Sequence, residues 1–78
     1  MVIKTLPEKE FQIGTREILK GIKEKKIDFV VLANNTPKQI VEKIKNSGVK
    51  YEIFDGDGGK LGTAIGKPFP VTAVGFRA

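Results

Sequence analysis

Apolar and polar positions change period several times along the chain, and each change marks an element. Phe11-Gln12-Ile13 alternates and stops at Gly14, which predicts a short strand feeding a helix. From Thr15 to about Lys25 the apolar positions Ile18, Leu19 and Ile22 keep helical spacing. Lys23, Lys25 and Lys26 crowd the end where the helix dipole is negative. The next run, Ile27-Asp28-Phe29-Val30-Val31-Leu32-Ala33, is nearly continuous and rich in β-branched residues. That is the pattern of a strand buried on both faces, and so of the centre of a sheet.

Asn34-Asn35-Thr36-Pro37-Lys38-Gln39 turns the chain into a second helix, with Thr36 as the expected N-cap, Pro37 in the first helical position and Gln39 closing a capping box. Ile40, Val41 and Ile44 form its apolar face, and Gly48 ends it. Val49-Lys50-Tyr51-Glu52-Ile53 alternates strictly, as a half-exposed strand should, and Phe54 closes it. After a glycine-rich turn, Leu61, Ala64 and Ile65 mark a short third helix that stops at Gly66. Val71 to Phe76 reads as the last strand. Four strands alternating with three helices predict one α/β layered domain over residues 1–78, with parallel neighbours in the sheet. Three helices spread over two faces cover such a sheet sparsely. Uncovered apolar surface is expected to seek a partner, and a homodimer through the sheet is one such arrangement.

Composition narrows the chemistry. A chain of 78 residues buries about 60–65% of its unfolded surface, so its stability margin is thin. Cysteine, histidine and tryptophan are all absent. Without the first two there is no disulfide, no Ser-His or Cys-His nucleophile, no ordinary zinc site and no side chain that titrates near neutrality. A non-enzymatic protein with no cofactor is the expectation. Fourteen Lys and Arg against nine Asp and Glu give a net charge of +5, which suits a polyanion such as ribosomal or other structured RNA. Lysine-rich, isoleucine-rich composition has an equally simple source in AT-rich or hot-growing organisms. The N-terminal segment has no signal-peptide pattern and no apolar run reaches membrane-spanning length. A cytoplasmic protein with no membrane partner is expected.

Three segments invite a functional reading. In Gly14-Thr15-Arg16-Glu17-Ile18-Leu19-Lys20, glycine permits close backbone approach and the helix start offers free N–H groups. Arg16, Glu17 and Lys20 add donors and an acceptor suited to base edges. A solvated helix start explains the same residues. Asp55-Gly56-Asp57-Gly58-Gly59-Lys60 is neither a P-loop, since Phe54 and Leu61 occupy required Gly and Ser/Thr positions, nor a calcium loop, since Gly59, Lys60 and Gly66 fall where ligands and a glycine belong. It reads as a turn in which Asp57 or Gly58 caps the next helix. Gly66-Lys67-Pro68-Phe69-Pro70 is a stiff loop that presents Phe69 and Lys67 to an unstacked base and a phosphate, or else lays Phe69 on the core.

Taken together, Gly14–Lys20, the run Val30-Val31-Leu32-Ala33-Asn34-Asn35-Thr36-Pro37 and Lys60-Leu61-Gly62-Thr63-Ala64-Ile65-Gly66 have the order and spacing of one family. The chain resembles the L-seven-Ae and L-thirty-e ribosomal proteins, RNA binders that recognise kink-turns, and it is most similar to the L-thirty-e branch. The resemblance implies a three-layer α/β/α sandwich around a mixed four-stranded sheet. It also implies that the glycine-led helix start and the loop before the last strand lie side by side on the RNA bend. Carried onto this chain, it implicates Gly14 and Thr15 at the backbone approach, Arg16, Glu17 and Lys20 on the bases and phosphates, Asn34 and Asn35 in the turn after the second strand, and Lys67, Pro68, Phe69, Pro70 and Val71 in shape recognition of an extruded nucleotide. Arg16 stands where the L-seven-Ae branch commonly has Asn. The family's terminal helices are expected to be reduced or missing here. On the residues alone, a protein-interaction or self-associating module of the same fold and a small-ligand or nucleotide-binding domain stay open beside the RNA reading.

Overall fold

The computed structural model describes residues 2–3 and 10–77. The elements in chain order are β1 (Val2–Ile3), β2 (Phe11–Ile13), α1 (Thr15–Lys23), β3 (Ile27–Leu32), α2 (Lys38–Asn46), β4 (Lys50–Phe54), α3 (Gly58–Ala64) and β5 (Ala73–Arg77). The sheet order is β1-β4-β3-β5-β2, so the continuously apolar run does lie in the middle. The four strands expected from the sequence form a mixed sheet: β3 runs parallel to β4, and β5 is antiparallel to both β3 and β2. The two residues of β1 widen the sheet by adding parallel to β4, Val2 opposite Ile53 and Ile3 opposite Phe54. The segments that bear on reduced terminal helices, residues 4–9 and position 78, lie outside the described residues.

Alternation along β3 builds the layers. Val30 and Leu32 join Ile18, Ile27, Ile44 and Ala73 in one buried cluster, with Leu19, Ile22, Val41, Tyr51 and Ile53 of α1, α2 and β4 packed around it. Val31 and Ala33 face the other way, into a cluster with Phe54, Leu61, Val71, Val74 and Phe76. Helices α1 and α2 therefore cover one face and α3 the other. Side chains alternate between faces along a strand, so a central strand buried on both needs no polar position at all. Gly75 of β5 sits under α1, where an added methyl would lie 2.9 Å from Ile27 Cδ1 and 3.1 Å from Ile18 Cγ1.

Several local expectations are corrected. Thr36 does not cap α2. Its hydroxyl donates to the Ala33 carbonyl at 2.7 Å and to the Thr72 carbonyl at 3.1 Å, tying the turn to the chain before β5. Pro37 is the residue before the helix, its carbonyl accepting from the Ile40 and Val41 N–H groups, and no capping box with Gln39 forms. Helix α3 begins earlier than its apolar positions indicate, because Asp57 Oδ1 accepts from the Lys60 N–H at 3.0 Å and draws Gly58 and Gly59 into the first turn. Strand β5 begins two residues later than Val71. The Val71 N–H donates to the Gly58 carbonyl and the Thr72 carbonyl accepts from the Ala33 N–H, so neither residue enters the ladder.

The three helices end alike, each followed by a residue in the left-handed region: Lys25 at φ +61, Gly48 at φ +80 and Gly66 at φ +76. After α1, the Lys25 N–H donates to the Ile22 carbonyl and the Lys26 N–H to the Gly21 carbonyl, as in a Schellman turn. Glycine takes that conformation freely, whereas a lysine there costs about 1 kcal/mol.

Candidate nucleic-acid interface

The starts of α1, α2 and α3, the ends of β3 and β4 and the approach to β5 share one end of the molecule. Gly14 precedes α1 with φ 93 and ψ 124, a backbone state that side chains disfavour. A Cβ built on it meets nothing within 4 Å. Glycine is thus needed here for its conformation, and the space beside it is open to a partner's backbone. No side chain caps α1 among the described residues, so its first-turn N–H groups are left to an external acceptor.

The loop before β5 is fixed from beneath by α3. A methyl group on Gly62 would overlap the Phe69 carbonyl oxygen, and one on Gly58 would press on the Val71 carbonyl at 3.3 Å. These glycines let the loop backbone lie directly on the helix. Hydrogen bonds of 2.9 Å from the Lys67 N–H to the Gly62 carbonyl and from the Val71 N–H to the Gly58 carbonyl hold both ends of the loop. Pro68 and Pro70 stiffen what lies between. Among the described residues, Phe69, 46% exposed, is the large hydrophobic side chain presented to solvent.

Helix start and loop meet. Ile13, Gly14 and Thr15 form one side of a cleft of about 280 Å³, and Phe69, Pro70, Val71, Thr72 and Ala73 form the other. A shallower hollow of about 200 Å³ on the far side of the loop is lined by Lys67 and Pro68 with Gly59 and Thr63, and shares Phe69 and Pro70. Of the residues expected in an interface, the cleft therefore unites Gly14, Thr15, Phe69, Pro70 and Val71. Lys67 and Pro68 stand on the loop's outer side. Val71 is only 4% exposed, so it shapes the cleft floor as a core residue.

Arg16, Glu17 and Lys20 are exposed on α1, away from buried Ile18, and do not line the cleft. They flank it. Asn34 and Asn35 are also exposed and outside its walls. The Asn34 backbone N–H donates to the Gly56 carbonyl at 2.9 Å, and the Asn35 side chain serves the fold, its Oδ1 accepting from the Gly58 N–H at 3.1 Å. Asn35 thus braces the start of α3, and through it the loop.

Sequence reasoning did not assign Thr72, Ala73 or Gly62 to the site, and it gave Gly58 only as a candidate cap of the third helix. Gly62 had a readable signal: a glycine inside a short helix is costly unless another backbone approaches it. Thr72 had none, since its part is played by its carbonyl.

Fold and cleft together define a three-layer α/β/α domain whose cleft end is built largely from backbone. The model of the family described as ribosomal protein L7Ae/L30e/S12e/Gadd45 matches residues 2–77, and the chain belongs to that family. It is 35% identical over 74 residues to the large ribosomal subunit protein eL30 of Archaeoglobus fulgidus, a match spanning 94% of this chain and 86% of that protein. With the eL30 of Sulfolobus acidocaldarius the identity is 34% over 68 residues, 82% of this chain and 65% of that one, so the chain spans just under two thirds of that relative. These relatives place it in the L-thirty-e branch. Among solved structures, the Giardia lamblia 15.5kD RNA binding protein superimposes with a TM-score of 0.72 at 25% identity, over 87% of this chain and 60% of that one. A protein of unknown function from Bacillus halodurans C gives the same TM-score at 19% identity, over 87% and 71% of the two chains, which bears on the fold alone.

Proposed function

We propose that the chain is a non-enzymatic RNA-binding protein of the large ribosomal subunit that grips a kink-turn or related internal loop. The observation that carries this reading is the single cleft shared by Gly14 and Thr15 with Phe69, Pro70 and Val71. Two segments separated by more than fifty positions in the chain are pre-assembled into one concave edge. Kinked RNA offers a matching partner, because A-form grooves are hard to read and proteins instead select bent shape and unstacked bases. In this reading Phe69 and the proline-stiffened loop receive the extruded nucleotide, the α1 N–H groups and Gly14 meet the backbone, Glu17 accepts from a guanine edge, and Arg16, Lys20 and Lys67 meet bases or phosphates. Asn34 and the Asn35 amide face the same RNA from the adjoining turn. The relatives' names, all large-subunit ribosomal proteins, support the RNA partner and a cytoplasmic, ribosome-associated location.

The test compares a kink-turn RNA with the same RNA lacking its sheared G·A pairs, at about 150 mM salt, where diffuse attraction is screened. Tight binding of the first and weak binding of the second is expected. Equal binding would leave only charge attraction.

Self-association is a second reading, favoured by one observation. On the α3 side of the sheet, half-buried Phe11 and Phe29 flank Phe76 with ring centroids 6.1 and 6.0 Å from it, forming an aromatic row across β2, β5 and β3. A homodimer over this row predicts a doubled mass in light scattering at high concentration. A strict monomer removes it.

A further inference from the structure

The end of the molecule opposite the cleft carries a second hollow, of about 340 Å³, between the last turns of α1 and α2 and the first residues of β3 and β4. Its floor is Ile22, Ile27 and Val49. On its rim stand Lys25, Lys50 and Ser47, with one acid, Asp28. Lys23, Lys43 and Lys45 lie on the last turns beside it, while neighbouring Lys26 pairs with Glu24 at 3.4 Å.

Lysines at helix C-termini complement the helix dipole, and that accounts for Lys23, Lys43 and Lys45. It does not account for Lys25. At the equivalent left-handed position α2 and α3 are followed by Gly48 and Gly66, which adopt it freely; α1 alone is followed by a lysine, at φ +61. A side chain kept on disfavoured backbone, on the wall of a hollow, points to contact with something outside the fold. Lys50, exposed at the start of β4, faces the same hollow from the other side.

We propose that this hollow is a second RNA site, which seats a ribose-phosphate backbone without reading its sequence, so that the protein bridges two RNA segments. Lys25 and Lys50 meet successive phosphates, the apolar floor carries the ribose faces, and Asp28 meets a 2′-hydroxyl, for which a carboxylate is an acceptor, while Ser47, whose hydroxyl donates to the Ile44 carbonyl and accepts from the Val49 N–H, shapes the rim. Asp28 repels a phosphate placed directly over it, which confines the phosphates to the two lysines. The six residues of β3 separate this site from the cleft by about 20 Å, in a molecule 28 Å long. Two RNA segments can therefore be held at once. The proposal rests on the RNA-binding reading above, and its test keeps the two apart.

The full chain is mixed with one equivalent of a kink-turn RNA, a plain A-form RNA duplex without an internal loop is added, and complexes are counted by native mass spectrometry. A ternary complex of one protein with both RNAs is expected. The double variant Lys25→Gly with Lys50→Gln should bind the duplex at least about 10-fold more weakly, with a salt slope shallower by about 2, while holding the kink-turn RNA within about 2-fold. Lys25→Gly alone should melt no lower than the parent chain, since glycine relieves the backbone. A binary complex only, an undiminished ternary complex in the double variant, or a lower melting temperature for Lys25→Gly would each overturn the proposal. So would displacement of the duplex by equimolar polyglutamate, which would make the occupant an acidic polypeptide. Failure of both RNAs to bind would overturn the RNA reading and this site together.

Discussion

The two ends of the sheet present opposite kinds of surface. At the end holding the cleft, the decisive atoms are backbone: the positive-φ Gly14, the open N–H groups of α1, and a loop seated on Gly58 and Gly62. At the other end the hollow is rimmed by long flexible cations, Lys25 and Lys50, over an apolar floor. Shape is fixed at the first end before any partner arrives, which lowers the ordering cost of binding. At the second end the exposed atoms are the charged tips of lysine side chains. Fixed backbone can reject a wrong shape, whereas lysine side chains attract any phosphate chain, so under the proposed function discrimination between RNAs resides at the cleft end.

The largest effect is expected at Gly62. Gly62→Ala forces the Phe69 carbonyl off α3, an overpacking expected to cost about 1–3 kcal/mol of stability. The displaced loop should abolish discrimination between the kink-turn RNA and its altered control in the fraction that remains folded. Parallel thermal melts and binding titrations check both effects. Full discrimination in a folded Gly62→Ala variant would mean that the loop adapts to its partner.

Glu17→Ala comes next. Bulk electrostatics predicts unchanged or tighter binding when a negative charge is removed. An acceptor to a guanine edge predicts binding weaker by about 1–3 kcal/mol. Titration at two salt concentrations separates these, because loss of a base contact leaves the salt slope unchanged.

Asp57→Ala removes the side chain that caps α3 and should lower stability by about 1 kcal/mol, a fall of about 4–8 °C in melting temperature for a domain of this size. Kink-turn affinity should fall less than with Gly62→Ala, because Asp57 supports the helix and not the loop contact itself. Lys45→Ala, on the last turn of α2, should change kink-turn affinity least, by about 2-fold or less. A loss as large as that of Lys20→Ala would show that the two ends are not distinct.

Much of this organisation was legible in the pattern of residues. The run Ile27–Leu32 carried its own position, because only a central strand is apolar on both faces. Gly48 and Gly66 ended their helices as read, and Asp57 capped α3 as one of two candidates. What was not legible depends on contacts between distant parts of the chain. Strand β1 has two residues and no period of its own, and is defined only by its pairing to β4. Thr36 has the chemistry of a cap, yet its hydroxyl is drawn to the Ala33 and Thr72 carbonyls, a tertiary partner no local pattern announces. At the candidate site, the approach of the helix start to the loop followed from the family resemblance. The support of that loop by Gly58 and Gly62 emerged only from the packing of α3. Lys25 belongs to the same class: the sequence shows a lysine after a helix, and only the backbone shows that it sits where its two counterparts are glycine.

Under the proposed function, Gly14–Thr15 and Phe69–Val71 act as one grip. The direct test is an NMR titration of the isotope-labelled chain with a kink-turn RNA, following every backbone amide. Up to one equivalent of RNA, large shifts with a common titration curve are expected at Gly14, Thr15, Glu17, Phe69, Val71 and Thr72, and small shifts at Ser47, Gly48 and Lys50. Shifts confined to one of the two segments, or spread evenly over lysine-bearing surfaces at both ends, would contradict it.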